Sequence, residues 1–258
     1  LRRLTQEGLI YYQFETFGDV KHGIFTRHGG VSHAPWDSLN TGGNVGDNPV
    51  AVRHNHERMY AALKVEGSRA CTVWQVHSAD AVIVDGPIRR RRWLALADAM
   101  VTDRPDTPIV MRYADCTPVM LYDSTQGVIG IAHAGWRGTV IGAAANTAKT
   151  MIQAYGCKPA NLRAGIGPSI GPSRYQVGEE VVDAVHKYFG TTDSLIQRDP
   201  VDNTAYFDLW AANRLDLCRV GVEQIEIAGI CTAQNTDEFF SHRAEKGRTG
   251  RFGAVMSL

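Results

Sequence analysis

Apolar positions recur along this chain in two rhythms, short β-type runs in the first half and helix-period stretches in the second. Tyr11-Tyr12-Gln13-Phe14 and Gly23-Ile24-Phe25 read as opening strands bounded by turn residues. The Gly-rich loop Arg27-His28-Gly29-Gly30-Val31-Ser32 follows. Asp47-Asn48-Pro49 then supplies a cap and a first-turn proline, which predicts a helix running to Leu63. In the β-rich middle, strands are expected at Thr72 to Val76, Ala81 to Val84, Ile109 to Tyr113, Val119 to Tyr122 and Val128 to Ala132. Asp123 to Gly127 reads as the hairpin loop between the last two. Beyond Trp136-Arg137-Gly138 the chain turns Ala-rich, and a helix from Thr139 to Tyr155 is expected to stop at Gly156. A Gly/Pro-dense loop, Gly165 to Pro172, precedes helices expected at Glu179 to Phe189 and Phe207 to Val220. A buried strand is expected at Glu223 to Ile230. Strands and helices in comparable amounts, without strict alternation, point to an α+β fold of mixed layers. No repeat or Pro/Ser-rich linker interrupts the pattern, so residues 1–258 are read as a single domain.

Charge narrows the partners. Lys and Arg number 27 and so do Asp and Glu, so no global field favours nucleic acid or an anionic membrane. The run Arg89 to Arg92 is a local exception and reads as a solvated loop. No apolar run approaches the roughly 20 residues a bilayer span needs, and Leu1 to Glu7 lacks the apolar core of a signal peptide. Five cysteines, an odd count with no C-x-x-C pair, argue for reduced thiols and a cytoplasmic setting.

The candidate chemistry lies in three scattered residues. His77 follows Trp74-Gln75-Val76, Cys116 sits in Asp115-Cys116-Thr117-Pro118, and His133 opens His133-Ala134-Gly135-Trp136-Arg137-Gly138. One thiolate with two imidazoles is a zinc-type ligand set, and three protein ligands leave a fourth position for water or substrate. Each residue is expected at or just after a strand end, where side chains can gather on one rim of a sheet. The helix expected near Thr139 would point free N–H groups toward that rim, and Arg137 beside it makes a candidate anion seat. His54 and His56, two apart on an expected helix, point away from each other and cannot chelate one ion.

Taken together, Thr26-Arg27-His28-Gly29-Gly30-Val31-Ser32, Trp74-Gln75-Val76-His77, Ala97-Asp98-Ala99-Met100, Ala114-Asp115-Cys116-Thr117-Pro118 and Ala132-His133-Ala134-Gly135-Trp136-Arg137-Gly138 resemble the YfiH-type polyphenol oxidase (laccase domain) family. The likeness continues through Gly165-Ile166-Gly167-Pro168-Ser169, Cys231-Thr232, Phe239-Phe240-Ser241-His242-Arg243 and Arg248-Thr249-Gly250-Arg251. His242 departs from it, since the family more commonly shows Tyr there. The resemblance implies a layered α/β/β/α sandwich, shared with cysteine-hydrolase-like proteins, and metal ligands at His77, Cys116 and His133. It also implies phosphorolysis of adenosine and inosine to ribose 1-phosphate and free base, with activity on methylthioadenosine and adenosine deamination beside it.

For that chemistry Arg27 and Arg137 are candidate phosphate anchors, because guanidinium forks suit phosphate oxygens. Asp115 and Asp98 are candidate proton shuttles, with Asp98 also a candidate substrate contact, and Asp115 reads equally well as a turn-orienting residue. Zinc is the expected cofactor and copper the alternative. A multicopper oxidase would need paired H-x-H motifs, and nine His with a single H-x-H do not supply them. A Cys–His hydrolase that edits cell-wall precursors would use the same trio, with Cys116 as nucleophile. A non-catalytic binding module is the remaining reading.

Overall fold

The computed structural model describes residues 1–87 and 93–258, so the arginine run Arg89 to Arg92 lies outside the described residues. The opening apolar runs form an antiparallel meander of β1 (Arg2–Gln6), β2 (Leu9–Gln13) and β3 (Lys21–Phe25). Helix α1 (Pro49–Ala62) begins as expected, with the Asn48 side chain accepting a hydrogen bond from the Val50 amide and Pro49 in the first turn. Then come β4 (Ala81–Ile83), β5 (Ala99–Thr102), β6 (Ile109–Tyr113), β7 (Thr117–Asp123) and β8 (Val128–Ala134). The short α2 (Trp136–Thr139) and longer α3 (Ala143–Tyr155) lead to β9 (Arg163–Ile166), β10 (Gln176–Val177) and α4 (Glu179–Phe189). The chain closes with β11 (Ile196–Arg198), β12 (Ala205–Phe207), α5 (Leu209–Arg219), β13 (Gln224–Ile227) and β14 (Phe252–Ser257).

Two large sheets carry the architecture. One runs β1-β2-β3-β14-β6 and is antiparallel throughout. The other runs β13-β9-β7-β8-β5-β4 and is mixed, parallel only at its two edges. Strand alternation sorts their side chains. Ile109, Met111 and Tyr113 of β6 point inward and join Ile24, Met120, Ile131 and Phe252 between the sheets. Val110 points outward to Tyr11, Phe25, Val255 and Met59 under α1. On the far side Val101, Val119, Ala148, Met151 and Leu217 bury α3 and α5 against the six-stranded sheet. The result is the α/β/β/α sandwich expected of the sequence, with the small sheet β10-β12-β11 and α4 packed beside it.

Four elements differ from expectation, each for a local reason. Thr72 to Val76 makes only isolated bridges, Cys71 to Ile109 and Trp74 to Leu96. There the Gln75 side chain takes the place of a strand, accepting from the Arg112 amide and donating to the Arg112 carbonyl. The helix expected from Thr139 breaks at Gly142, whose φ of 84° is left-handed and whose missing Cβ makes room for the Tyr188 hydroxyl. α5 starts late because Phe207 pairs with Ile196, and Asp208 caps the helix through the Ala211 amide. The strand expected to be buried at Glu223 to Ile230 is the short edge strand β13, with Gln224 and Ile227 exposed.

Candidate metal centre

Asp98 is where the site is built. Its buried carboxylate faces two elements at once. Oδ2 accepts from the amides of Val76 (3.0 Å) and Ser78 (2.7 Å), the residues on either side of His77. Those bonds hold His77 in a left-handed conformation, φ 63°, which costs a non-glycine residue of order 1 kcal/mol. Oδ1 accepts from Nδ1 of His133 at 2.8 Å, and the Asp98 carbonyl accepts from the His133 amide. With Nδ1 engaged, Nε2 of His133 is the nitrogen left for a ligand.

Cys116 arrives by a different route. It follows Asp115, also left-handed at φ 78°, in the turn that enters β7. The Asp115 carboxylate is tied by the Thr232 hydroxyl at 2.7 Å and the Arg243 amide at 2.6 Å. His133 lies inside β8 rather than after it, in register with Pro118. Strand pairing therefore sets Cys116 beside His133. The Cys116 sulfur stands 3.9 Å from Nε2 of His77, and the rings of His77 and His133 are 5.0 Å apart. Gly135 closes the back: a Cβ there would meet the Cys116 sulfur at 2.8 Å and the His77 ring at 3.1 Å.

The donor atoms of His77, Cys116 and His133 all lie within 4.8 Å of one another, the one such group of three among the described residues. Tetrahedral bonds of about 2.3 Å from sulfur and 2.0–2.1 Å from nitrogen would draw them together by up to about 1.5 Å. The donor set thus fits a single thiophilic ion. Electrostatics agree. Burial raises the Cys116 thiol, but the charge and hydrogen bonds of His133 and then His77 outweigh it, bringing the thiol down to about 6. His133 moves the other way: burial lowers it, while Cys116 and Asp98 raise it to about 9. Asp98 is itself held below the usual carboxylate range, burial opposing and His133 and the two amides prevailing. A resident thiolate is the ligand form of cysteine, and binding an ion would release the His133 proton.

The cluster forms the floor of a cavity of about 420 Å³, whose walls include Trp74, Trp93, Gln75, Arg112, Asn44 and Arg251. Several expected site residues lie elsewhere. Arg27 borders a separate hollow, where its guanidinium bonds Glu245, Asp37 and the carbonyls of Asp37 and Thr236 and lies over the Phe240 ring. Arg137 is exposed and stacks on Trp136, and α2 behind it is a single turn, too short to offer an aligned set of free amides. Asp115, with both oxygens engaged, orients its turn. His242 is exposed and does not line the cavity. His54 is exposed as expected, while His56 is half-buried and reaches the Thr41 carbonyl. Sequence reasoning missed Arg112 and Arg251. A signal existed in Arg112, the one charge in the apolar strand Ile109 to Tyr113.

A two-sheet sandwich flanked by helices, with a thiolate–imidazole cluster at the floor of a pocket, defines a class of layered α+β proteins with a metal-ready cysteine. Within that class the chain belongs to the family described as multi-copper polyphenol oxidoreductase laccase, whose pattern it matches over residues 21–258. It is 32% identical to a purine nucleoside phosphorylase of Bacteroides thetaiotaomicron, covering 94% of this chain and 93% of that one. It is 35% identical to a purine nucleoside phosphorylase of Deinococcus radiodurans, covering 93% and 89%. The crystal structure of the hypothetical protein YfiH of Bacillus licheniformis superposes with a TM-score of 0.92 at 33% identity, over 99% of this chain and 98% of that one.

Proposed function

We propose that this protein is a purine nucleoside phosphorylase whose reaction takes place over the His77, Cys116 and His133 cluster, with adenosine and inosine as first substrates and methylthioadenosine as a third. The observation that carries the reading is the cluster itself, set at the floor of a nucleoside-sized cavity in a chain whose relatives bear that name. In phosphorolysis the C1′–N9 bond breaks with its electron pair going to the purine. A phosphate oxygen forms the new bond to C1′, and the proton of dihydrogen phosphate balances the departing base. Trp74 and Trp93, edge to face with centroids 4.4 Å apart, offer an aromatic wall on which a purine can stack.

His77, Cys116 and His133 would hold the metal, zinc being the ion best matched to one thiolate and two imidazoles and copper the second. When bound, such an ion supplies Lewis acidity beside the substrate. The chain's own part is to orient the two imidazoles through Asp98 and the Cys116 turn through Asp115, and to exclude Cβ bulk at Gly135. Deamination of adenosine would further need a proton carrier, and Asp98, whose Oδ1 holds His133 and whose Oδ2 holds two amides, serves orientation first. Among the described residues no cysteine forms a disulfide, which suits the cytoplasmic setting we assign.

One observation favours a second reading. Cys116, His133 and Asp98 form the nucleophile, base and orienting carboxylate of a Cys–His hydrolase. Such a triad has no use for His77, yet the fold holds that ring at strain against the sulfur, and this weighs toward metal. The test is phosphate-dependent formation of ribose 1-phosphate and free base from adenosine or inosine by protein of measured metal content. Product that forms without phosphate, or a covalent acyl adduct on Cys116, would overturn the phosphorylase reading.

A further inference from the structure

Arg112 and Arg251 share an arrangement that the family likeness did not draw attention to. β14 pairs with β6 so that Gly253 stands opposite Arg112. Arg251, two residues before Gly253, therefore lies on the same outward face as Arg112 and diagonally across from it. Diagonal neighbours on paired strands sit about 7–8 Å apart, within reach of two long side chains. Both residues line the cavity that holds Cys116 and His133.

Each side chain is fixed at its root, and its guanidinium bonds backbone carbonyls alone among the described residues. The backbone of Arg112 is clamped by Gln75, and one of its guanidinium nitrogens bonds the Val73 carbonyl. The amide of Arg251 donates to Asn40, its carbonyl accepts from Thr41, and its stem crosses Gly42 where a Cβ would collide with it. Its guanidinium bonds only the carbonyls of Thr249 and Gly250. Among the described residues neither arginine has a carboxylate within ion-pair distance, and burial lowers the pKa of both. The nearby carboxylates are taken, Asp98 by His133 and Asp115 by Thr232 and Arg243. Two half-buried guanidiniums that no carboxylate pairs directly keep donor capacity that an incoming anion would satisfy.

We infer that Arg112 and Arg251 together form the phosphate seat of this cavity, holding the attacking anion beside the cluster. Two forked guanidiniums can share a phosphate's oxygens by charge-assisted bonds. Gln75, whose side chain hydrogen-bonds the Arg112 backbone, is a positioning residue in this scheme. The inference rests on the phosphorylase reading for its role but not for its binding chemistry.

The experiment titrates inorganic phosphate into metal-loaded wild-type, Arg112→Gln, Arg251→Gln and Arg27→Gln proteins by calorimetry, and measures KM for phosphate and for inosine. Each cavity variant should weaken phosphate at least about tenfold, in Kd and in KM, while KM for inosine moves less than about threefold. Arg27→Gln should leave phosphate unchanged. Arg112→Lys and Arg251→Lys, which keep charge and fold but lose the fork, should fall between wild type and Gln. Phosphate affinity that survives both Gln substitutions overturns the seat, whatever the activity. Wild-type protein that binds phosphate through these arginines yet makes no ribose 1-phosphate leaves the seat standing and overturns the phosphorylase reading instead. If Arg112→Gln fails to fold, judged by its melting curve, Arg251→Gln and Arg112→Lys decide the question.

Discussion

The hollow beside Arg27 and the cavity beside Arg112 and Arg251 differ in what the guanidinium does. At Arg27 the charge is spent within the fold, on Glu245 and Asp37, on two carbonyls and on the face of Phe240. At Arg112 and Arg251 it is left over, held beside a thiolate and two imidazoles with no carboxylate to answer it. The first arrangement fastens the N-terminal loop to the C-terminal segment. The second awaits something from outside. A glycine-rich neighbourhood marks the first and an apolar strand the second, so composition alone points the wrong way, and the partner of each charge decides its role.

The contrast can be broken most severely at the floor of the cavity. Cys116→Ala and His133→Ala should each lower phosphorolysis by at least about 10³-fold, with loss of bound metal by elemental analysis and a melting temperature within a few degrees of wild type. Gly135→Ala comes next. Its Cβ would press on the Cys116 sulfur and the His77 ring, and a displacement of about 1 Å at reacting groups lowers turnover roughly 10²-fold; steady-state kcat is the readout. Asp98→Asn keeps the shape but weakens the hold on His133, so metal affinity in a chelator competition should fall about 10- to 100-fold. Arg27→Ala sharpens the comparison from the other side. It should lower stability to urea by about 1–3 kcal/mol by leaving Glu245 without its partner, while KM for phosphate stays as in wild type.

Much of the fold is written locally. Ile109 to Tyr113 and Glu179 to Phe189 are the observed elements, residue for residue, because strand alternation and helix periodicity are short-range signals. Thr72 to Val76 misleads because a side chain, Gln75, does what a backbone would do elsewhere, and no period records that. The ligand trio is legible because a cysteine and two histidines in small-residue turns stand out by type. Arginine carries no such mark. Whether Arg27 is bound or free depends on Glu245, 218 residues away, and only the closed chain brings Arg112 and Arg251 to one cavity.

The double grip of Asp98 has a consequence for how the molecule comes together. The turn bearing His77 is tied to that carboxylate, whose neighbour Ala99 pairs with Ala132 of the adjacent hairpin. The shape of the chemical centre therefore depends on the pairing of β5 with β8. A substitution that loosens that pairing would displace both imidazoles together, at a distance from either ring.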